Sequence, residues 1–151
     1  MDESRMKESL GLICWLEIPV KDISRAQKFY TDMFGWECDA KPTTPPYCSS
    51  SSAPTEAMPE RYYFFKKGEA LNGAFMLGKG DHQVLNYDPS RPLAYALQPT
   101  MHVVDCAEAL RLAESLGGKT HWPKTEIGGD MGFFARVIDT EGNVIGLWSY
   151  K

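Results

Sequence analysis

Apolar residues fall along this chain in two rhythms, and the order of those rhythms is used twice. Leu12 to Ile18 alternates as a strand does and is rich in Ile, Leu and Trp. Asp22 then stands where a helix cap is needed. Behind it, Ile23, Ala26, Phe29, Tyr30 and Met33 recur at three- and four-residue spacing, which predicts a helix from about Ile23 to Phe34. Gly35 ends that helix. Trp36 to Ala40 reads as a short strand, and Tyr62 to Phe65 and Leu71 to Leu77 as a strand pair turned near Lys67-Gly68.

The same grammar returns further on. Leu97 to Val104 is strand-like, with Pro99 setting its start at an edge or bend. Asp105 can cap a helix carrying Cys106, Ala109, Leu110, Leu112, Ala113 and Leu116, closed by Gly117-Gly118. Strands follow at Lys119 to Trp122, Phe133 to Ile138 and Val144 to Tyr150. Asp22 and Asp105, Ala26 and Ala109, and Gly35 and Gly118 are each 83 positions apart (105 minus 22 for the first pair). The chain is thus a repeat of one βαβββ unit, with modules over 10–78 and 96–150. Each sheet has an apolar face to cover, so neither module is expected to be stable alone. A Pro/Ser-rich loop spans 41–59, and a linker covers 79–95.

A length of 151 residues suits one domain of two small modules sharing a core. The charged N-terminus, MDESRMKESL, has no apolar signal core, and no segment is apolar enough to span a bilayer, so a cytoplasmic protein is expected. A net charge of −4 without a basic stripe argues against nucleic acid as the main partner. Cys14, Cys38, Cys48 and Cys106 are scattered without a CxxC pair, the pattern of reduced thiols.

Several linked stretches resemble the vicinal-oxygen-chelate superfamily, the glyoxalase, bleomycin-resistance and extradiol-dioxygenase group. They are LEIPVKDISRAQKFY (16–30) followed by FGW (34–36), then LGG (116–118), PKTEI (123–127) and GFFARVIDTEGNVIGLW (132–148). The resemblance implies an α+β fold in which two βαβββ modules form a curled, cup-shaped mixed sheet with the helices outside. It also implies a small-molecule site in the cup and a homodimer as the expected assembly. In metal-using members, four side chains on the first and last strands of the modules hold a divalent ion. By the resemblance those positions fall at Trp15, Gly73, Gln98 and Gly146. None is a carboxylate or an imidazole, so no cofactor is expected. A rearranged divalent-metal site using His102, His121 and Glu17 remains an alternative.

Gly73 and Gly146 admit two readings, a bend in a curved sheet or space inside the cup. His102 shares the parity of Gln98 and Thr100, which makes it the best general-base candidate, while His82 sits in the linker. Glu17 shares the parity of Trp15; it is either an acid or base against apolar walls, or the ion-pair partner of Arg136. Trp15 and Trp148 are expected to stack on a planar ligand, with Tyr63 and Phe75 as further ring contacts. Asp130-Met131-Gly132 reads as a rim loop. Two functions follow as expectations: a protein that binds or sequesters a small organic metabolite, or a metal-independent lyase, isomerase or cyclase using His102 or Glu17. A metal-dependent glyoxalase or dioxygenase is the third reading.

Overall fold

The computed structural model describes residues 10, 13, 15–43, 60–78, 87–91 and 96–151. Most of the Pro/Ser-rich loop and of the linker, and with them His82, Cys14, Cys48 and most of the N-terminal segment, lie outside the described residues. Elements follow in the order β1 (Leu16–Val20), α1 (Ile23–Phe34), β2 (Glu37–Cys38), β3 (Arg61–Lys67), β4 (Leu71–Leu77), β5 (Thr100–His102), α2 (Cys106–Ser115), β6 (Lys119–Glu126), β7 (Phe133–Ile138) and β8 (Val144–Ser149). They make two four-stranded mixed sheets, ordered β1-β4-β3-β2 and β5-β8-β7-β6. In each, the first strand pairs parallel with the last and the remaining pairs are antiparallel. The predicted duplication is therefore present in the strand order as well as in the sequence.

Local chemistry fixes the helices where the pattern put them. The Asp22 carboxylate accepts from Arg25 N at 3.0 Å, and Gly35 closes α1 in the left-handed conformation at φ 65°, which costs glycine no Cβ clash. Asp105 caps α2 by accepting from Ala107 N and Glu108 N at 2.7 and 3.1 Å. The buried residues of α1 are Ala26, Phe29 and Tyr30, and those of α2 are Cys106, Leu110 and Ala113. The two helices pack against each other, so both cover the same side of the molecule. Facing them are Ile18, Val20, Tyr63, Phe65 and Phe75 from the first sheet and Ala135, Val137, Ile145 and Leu147 from the second, in one continuous core.

Aromatic packing dominates the first half of that core. Tyr30 stacks on Trp36 at 4.7 Å, Trp36 on Phe65 at 4.4 Å, and Phe65 and Phe75 meet at 4.8 Å. Full burial of a ring such as Phe75 contributes about 1.5–3 kcal/mol. Tyr63 and Phe75, expected as ligand contacts, are thus core residues facing the helices. Gly73 lies on that same face, opposite Phe65 in the β3–β4 register. A Cβ on Gly73 would meet Leu16 O at 2.1 Å and the Phe65 ring at 2.4 Å. Gly73 is glycine because a ring and a carbonyl occupy its side-chain space, and it leaves no room for a ligand.

A buried polar knot ties the second module to the first. Glu141, in the turn between β7 and β8, accepts from Lys21 N and Asp22 N, each at 2.8 Å, and from Arg25 Nε at 2.7 Å. Burial pushes this carboxyl up, but the Arg25 guanidinium and the two backbone N–H groups outweigh it and hold the pKa below the ordinary value. Beside it, Asp139 accepts from Tyr30 Oη at 2.8 Å and from Asn143 N and Nδ2. Here burial wins over the hydrogen bonds, and the pKa is raised. Asn143 Nδ2 also donates to Pro19 O at 3.0 Å. A carboxylate facing the exposed N–H groups at the start of α1 is favoured by the helix dipole as well. Among the described residues no helix is long and apolar enough to cross a membrane.

Candidate ligand-binding face

Because side chains alternate along a strand, whatever does not face the helices stands on the opposite, open side of the sheets. In the second sheet these side chains fall into two rows running across the strands. The first row is Thr100, Gly146, Arg136 and Trp122, each the register partner of the next. The second is His102, Trp148, Phe134 and Thr125.

The rings in these rows touch. His102 lies 4.8 Å from Trp148, and Tyr150 meets Trp148 edge-on at 4.5 Å. Trp122 and Phe134 are 5.6 Å apart, and the Arg136 guanidinium sits 5.3 Å from the Trp122 ring centre, a cation–π geometry. Both indoles on this face are held by their N–H groups. Trp148 donates to Met131 O at 2.9 Å and Trp122 to Thr125 Oγ1 at 3.1 Å. The first bond anchors the Asp130-Met131-Gly132 loop to the platform, and Asp130 takes a left-handed φ of 57° there.

Trp15 and Glu17 stand on the open side of the first sheet. Trp15 Nε1 donates to Glu17 Oε1 at 3.3 Å, and its ring meets Phe64 edge-on at 5.6 Å. Glu17 is exposed rather than enclosed by apolar walls. No ion pair joins it to Arg136: the guanidinium lies over Trp122, and no carboxylate pairs with it among the described residues. Gln98 is half-buried ahead of β5, and Thr100 is exposed. A Cβ on Gly146 would come within 2.4 Å of Thr100 Oγ1, so the hydroxyl leans over the glycine.

The register also corrects one metal position. Glu17 pairs with Ala74 as Thr100 pairs with Gly146, so the counterpart of Gly146 in the first module is Ala74, one residue beyond Gly73 and on the other face. Trp15, Ala74, Gln98 and Gly146 offer a single neutral amide as a donor, which does not fit a divalent ion. The rearranged set is not assembled either. His102 is on β5 and His121 on β6, at opposite edges of the sheet, with His121 at a bulge 4.3 Å from the Tyr87 ring. Among the described residues no three of His, Cys, Asp and Glu come together. A groove of about 630 Å³ runs along β5 between the ends of α1 and α2, lined by Met33, Phe34, Trp36, Leu71, Val103 and Leu112 among others. Thr100 and His102, the β5 members of the two rows, also line it.

Sequence reasoning placed His102, Thr100, Arg136 and Trp148 on strands but missed the rows that join them to Trp122 and Phe134. The signal was present: Phe134 and Arg136 alternate with Ala135 and Val137 in one strand.

Comparison with known proteins gives the same architecture. The bleomycin resistance protein-like N-terminal family model matches residues 13–48. No curated protein matches the chain in sequence. In structure the chain is similar to a glyoxalase family protein from Enterococcus faecalis, 16% identical, with 93% of this chain and 98% of that one covered at a TM-score of 0.63. It is also similar to the fosfomycin resistance protein FosX from Listeria monocytogenes, solved with Mn(II) and sulfate, at 15% identity, 93% and 90% coverage and a TM-score of 0.58. A third likeness is to lactoylglutathione lyase from Agrobacterium tumefaciens, at 17% identity, 92% and 93% coverage and a TM-score of 0.55. At these identities the likenesses carry the fold. The chain thus has the fold of these glyoxalase-like proteins, two βαβββ modules side by side, and its first module matches a bleomycin resistance protein-like family model.

Proposed function

We propose that this protein binds a small organic metabolite on the open face of its second sheet, without a divalent ion such as the Mn(II) with which FosX was solved. The observation that carries this reading is the pair of cross-strand rows, in which Trp122, Phe134 and Trp148 present rings with no packing layer drawn from the helices. Rings whose N–H groups are already bonded to their own chain are pre-organised, so little side-chain entropy is lost when a planar ligand stacks on them. Trp15, just ahead of β1, and Gln98, just ahead of β5, are the further contacts of this proposal.

The test is a thermal-shift comparison of small planar compounds with aliphatic ones of equal size. Planar compounds are expected to stabilise the protein, and Trp148→Ala to abolish the effect. Equal stabilisation by both classes, or an unchanged shift in Trp148→Ala, would sink the reading. Elemental analysis of protein purified without chelator belongs beside it, since a divalent ion bound in every chain would revive metal-assisted chemistry.

A second reading has its own support, because His102 is exposed and stands in the Trp148 row. There an imidazole can take a proton from a stacked substrate, in a lyase, isomerase or cyclase reaction. His102→Gln would then lose turnover and keep affinity, whereas a pure binder shows no turnover in either form. Glu17, exposed on the first sheet, is the alternative acid or base. Assembly as a homodimer and a cytoplasmic location complete the proposal.

A further inference from the structure

In each module the turn between the third and fourth strands is centred on a glutamate. Lys67 pairs with Leu71 across Glu69, and Ile138 pairs with Val144 across Glu141. The repeat makes these turns equivalent, yet they end differently. Glu141 reaches the start of α1 and accepts from Lys21 N, Asp22 N and Arg25. At the 83-residue offset the same three places beside α2 are Val104, Asp105 and Glu108. With Glu108 where Arg25 stands, Glu69 faces a like charge, and the bond that closes the first junction cannot form at the second. Among the described residues Glu69 and Glu108 have no ion-pair partner.

The groove of about 630 Å³ lies at this second junction. Lys67 and Leu71, on either side of Glu69, line it from the first module, and Val104, Asp105 and Glu108 line it from the second. Part of its lining is apolar surface of a kind that the first junction seals. Ala26 and Phe29 are 0% and 1% exposed, whereas their counterparts Ala109 and Leu112 line the groove, and Leu112 is 42% exposed. An open apolar groove of this volume, with few polar groups at its margin, has the character of a small-molecule site.

The charges along the groove decide what it takes. Lys67 donates to Gly35 O at 3.2 Å, at the end of α1. Asp105 caps α2 and accepts from Lys124 at 3.0 Å. Glu108 is the charged lining group with no such partner, so an incoming carboxylate would be repelled there and a protonated amine would find an acceptor. We infer that this groove is a small-molecule site apart from the stacking surface of the second sheet, and that it takes an amphiphilic cation. The apolar body lies along Met33, Phe34, Leu71 and Leu112, and the ammonium group donates to Glu108.

The test uses three probes of one shape, 4-phenylbutylamine, 4-phenylbutanol and 4-phenylbutyrate, in NMR titrations at low salt. The methyl signals of Met33 and Met101 report on the groove, and the indole N–H signals of Trp122 and Trp148 on the open face. The amine is expected to shift Met33 and Met101 and to bind about threefold to fivefold more tightly than the alcohol, the margin of an exposed ion pair, with butyrate weakest. Glu108→Gln, a change at an exposed position, should bring the amine down to the alcohol's affinity and leave the alcohol unchanged. Leu112→Gln should weaken all three probes alike. Thermal unfolding confirms that both variants are folded. Equal affinity of amine and alcohol for the wild type, or a preference that survives Glu108→Gln, overturns the cation site. Shifts of Trp122 and Trp148 with Met33 and Met101 unmoved overturn the groove while the stacking surface stands. Binding of none of the probes overturns the groove as well, and leaves the stacking surface to its own test.

Discussion

Thr100 and Gly146 share one side-chain space: the hydroxyl of the first lies 2.4 Å from where a Cβ of the second would be. The space is on the open face, and Thr100 Cβ would be 3.2 Å from that same point. Gly146→Ala is therefore expected to destabilise the protein by about 1–3 kcal/mol through overpacking. Thr100→Ala/Gly146→Ala should recover most of that loss. Chemical denaturation of the three variants checks it, and a double variant no better than Gly146→Ala alone would show that backbone, not the hydroxyl, demands the glycine.

Gly73 obeys a harsher constraint. Its missing Cβ would strike a backbone carbonyl at 2.1 Å and the Phe65 ring at 2.4 Å, and a carbonyl in a strand cannot rotate away. Gly73→Ala should cost about 3 kcal/mol or more, beyond the usual overpacking range, and shrinking Phe65 should rescue little of it. Equilibrium unfolding measures this directly.

Glu141 predicts an acid-sensitive junction. Its folded pKa lies below the ordinary 4.5, so its contribution is complete above that value and is lost as pH falls through the folded pKa. Glu141→Gln should lower stability at neutral pH and flatten the loss of stability below about pH 4.5. Glu141→Ala, which takes the acceptor from the Lys21 and Asp22 N–H groups while leaving the half-exposed Arg25 to water, should cost about 1–3 kcal/mol. Urea midpoints between pH 3 and pH 7 are the readout.

Asp139 carries the opposite sign. Its pKa is raised in the fold, so its ionisation weakens the folded state as pH climbs from the ordinary 3.8 through the folded value. The Tyr30 hydroxyl opposes this by donating to the carboxylate. Tyr30→Phe is expected to cost about 1–2 kcal/mol at neutral pH, and less at a pH where Asp139 is protonated. A cost independent of pH would mean that the hydroxyl matters for packing alone.

How far the sequence carried the structure depends on which signal was available. Ile23–Phe34 and Phe133–Ile138 form as predicted because caps and periodicity act over a few residues. The face of β3 was not legible: Tyr62, Tyr63, Phe64 and Phe65 are all aromatic, so alternation says nothing about which two meet the helices. Taking Gly73 for the counterpart of Gly146 was a slip of one residue, enough in a strand to move a position from the open side to the core. The Glu141 and Asp139 knot was invisible for another reason. In sequence it reads as an ordinary polar turn, and its partners are 109 to 120 residues away.

The alternation along β7 and β8 has an evolutionary consequence. Ala135, Val137, Ile145 and Leu147 hold the domain together, while Phe134, Arg136 and Trp148 between them touch nothing the helices need. Descendants of this chain can change the open face, where we propose the ligand binds, at every second residue and inherit the scaffold unaltered, at little risk of losing the fold.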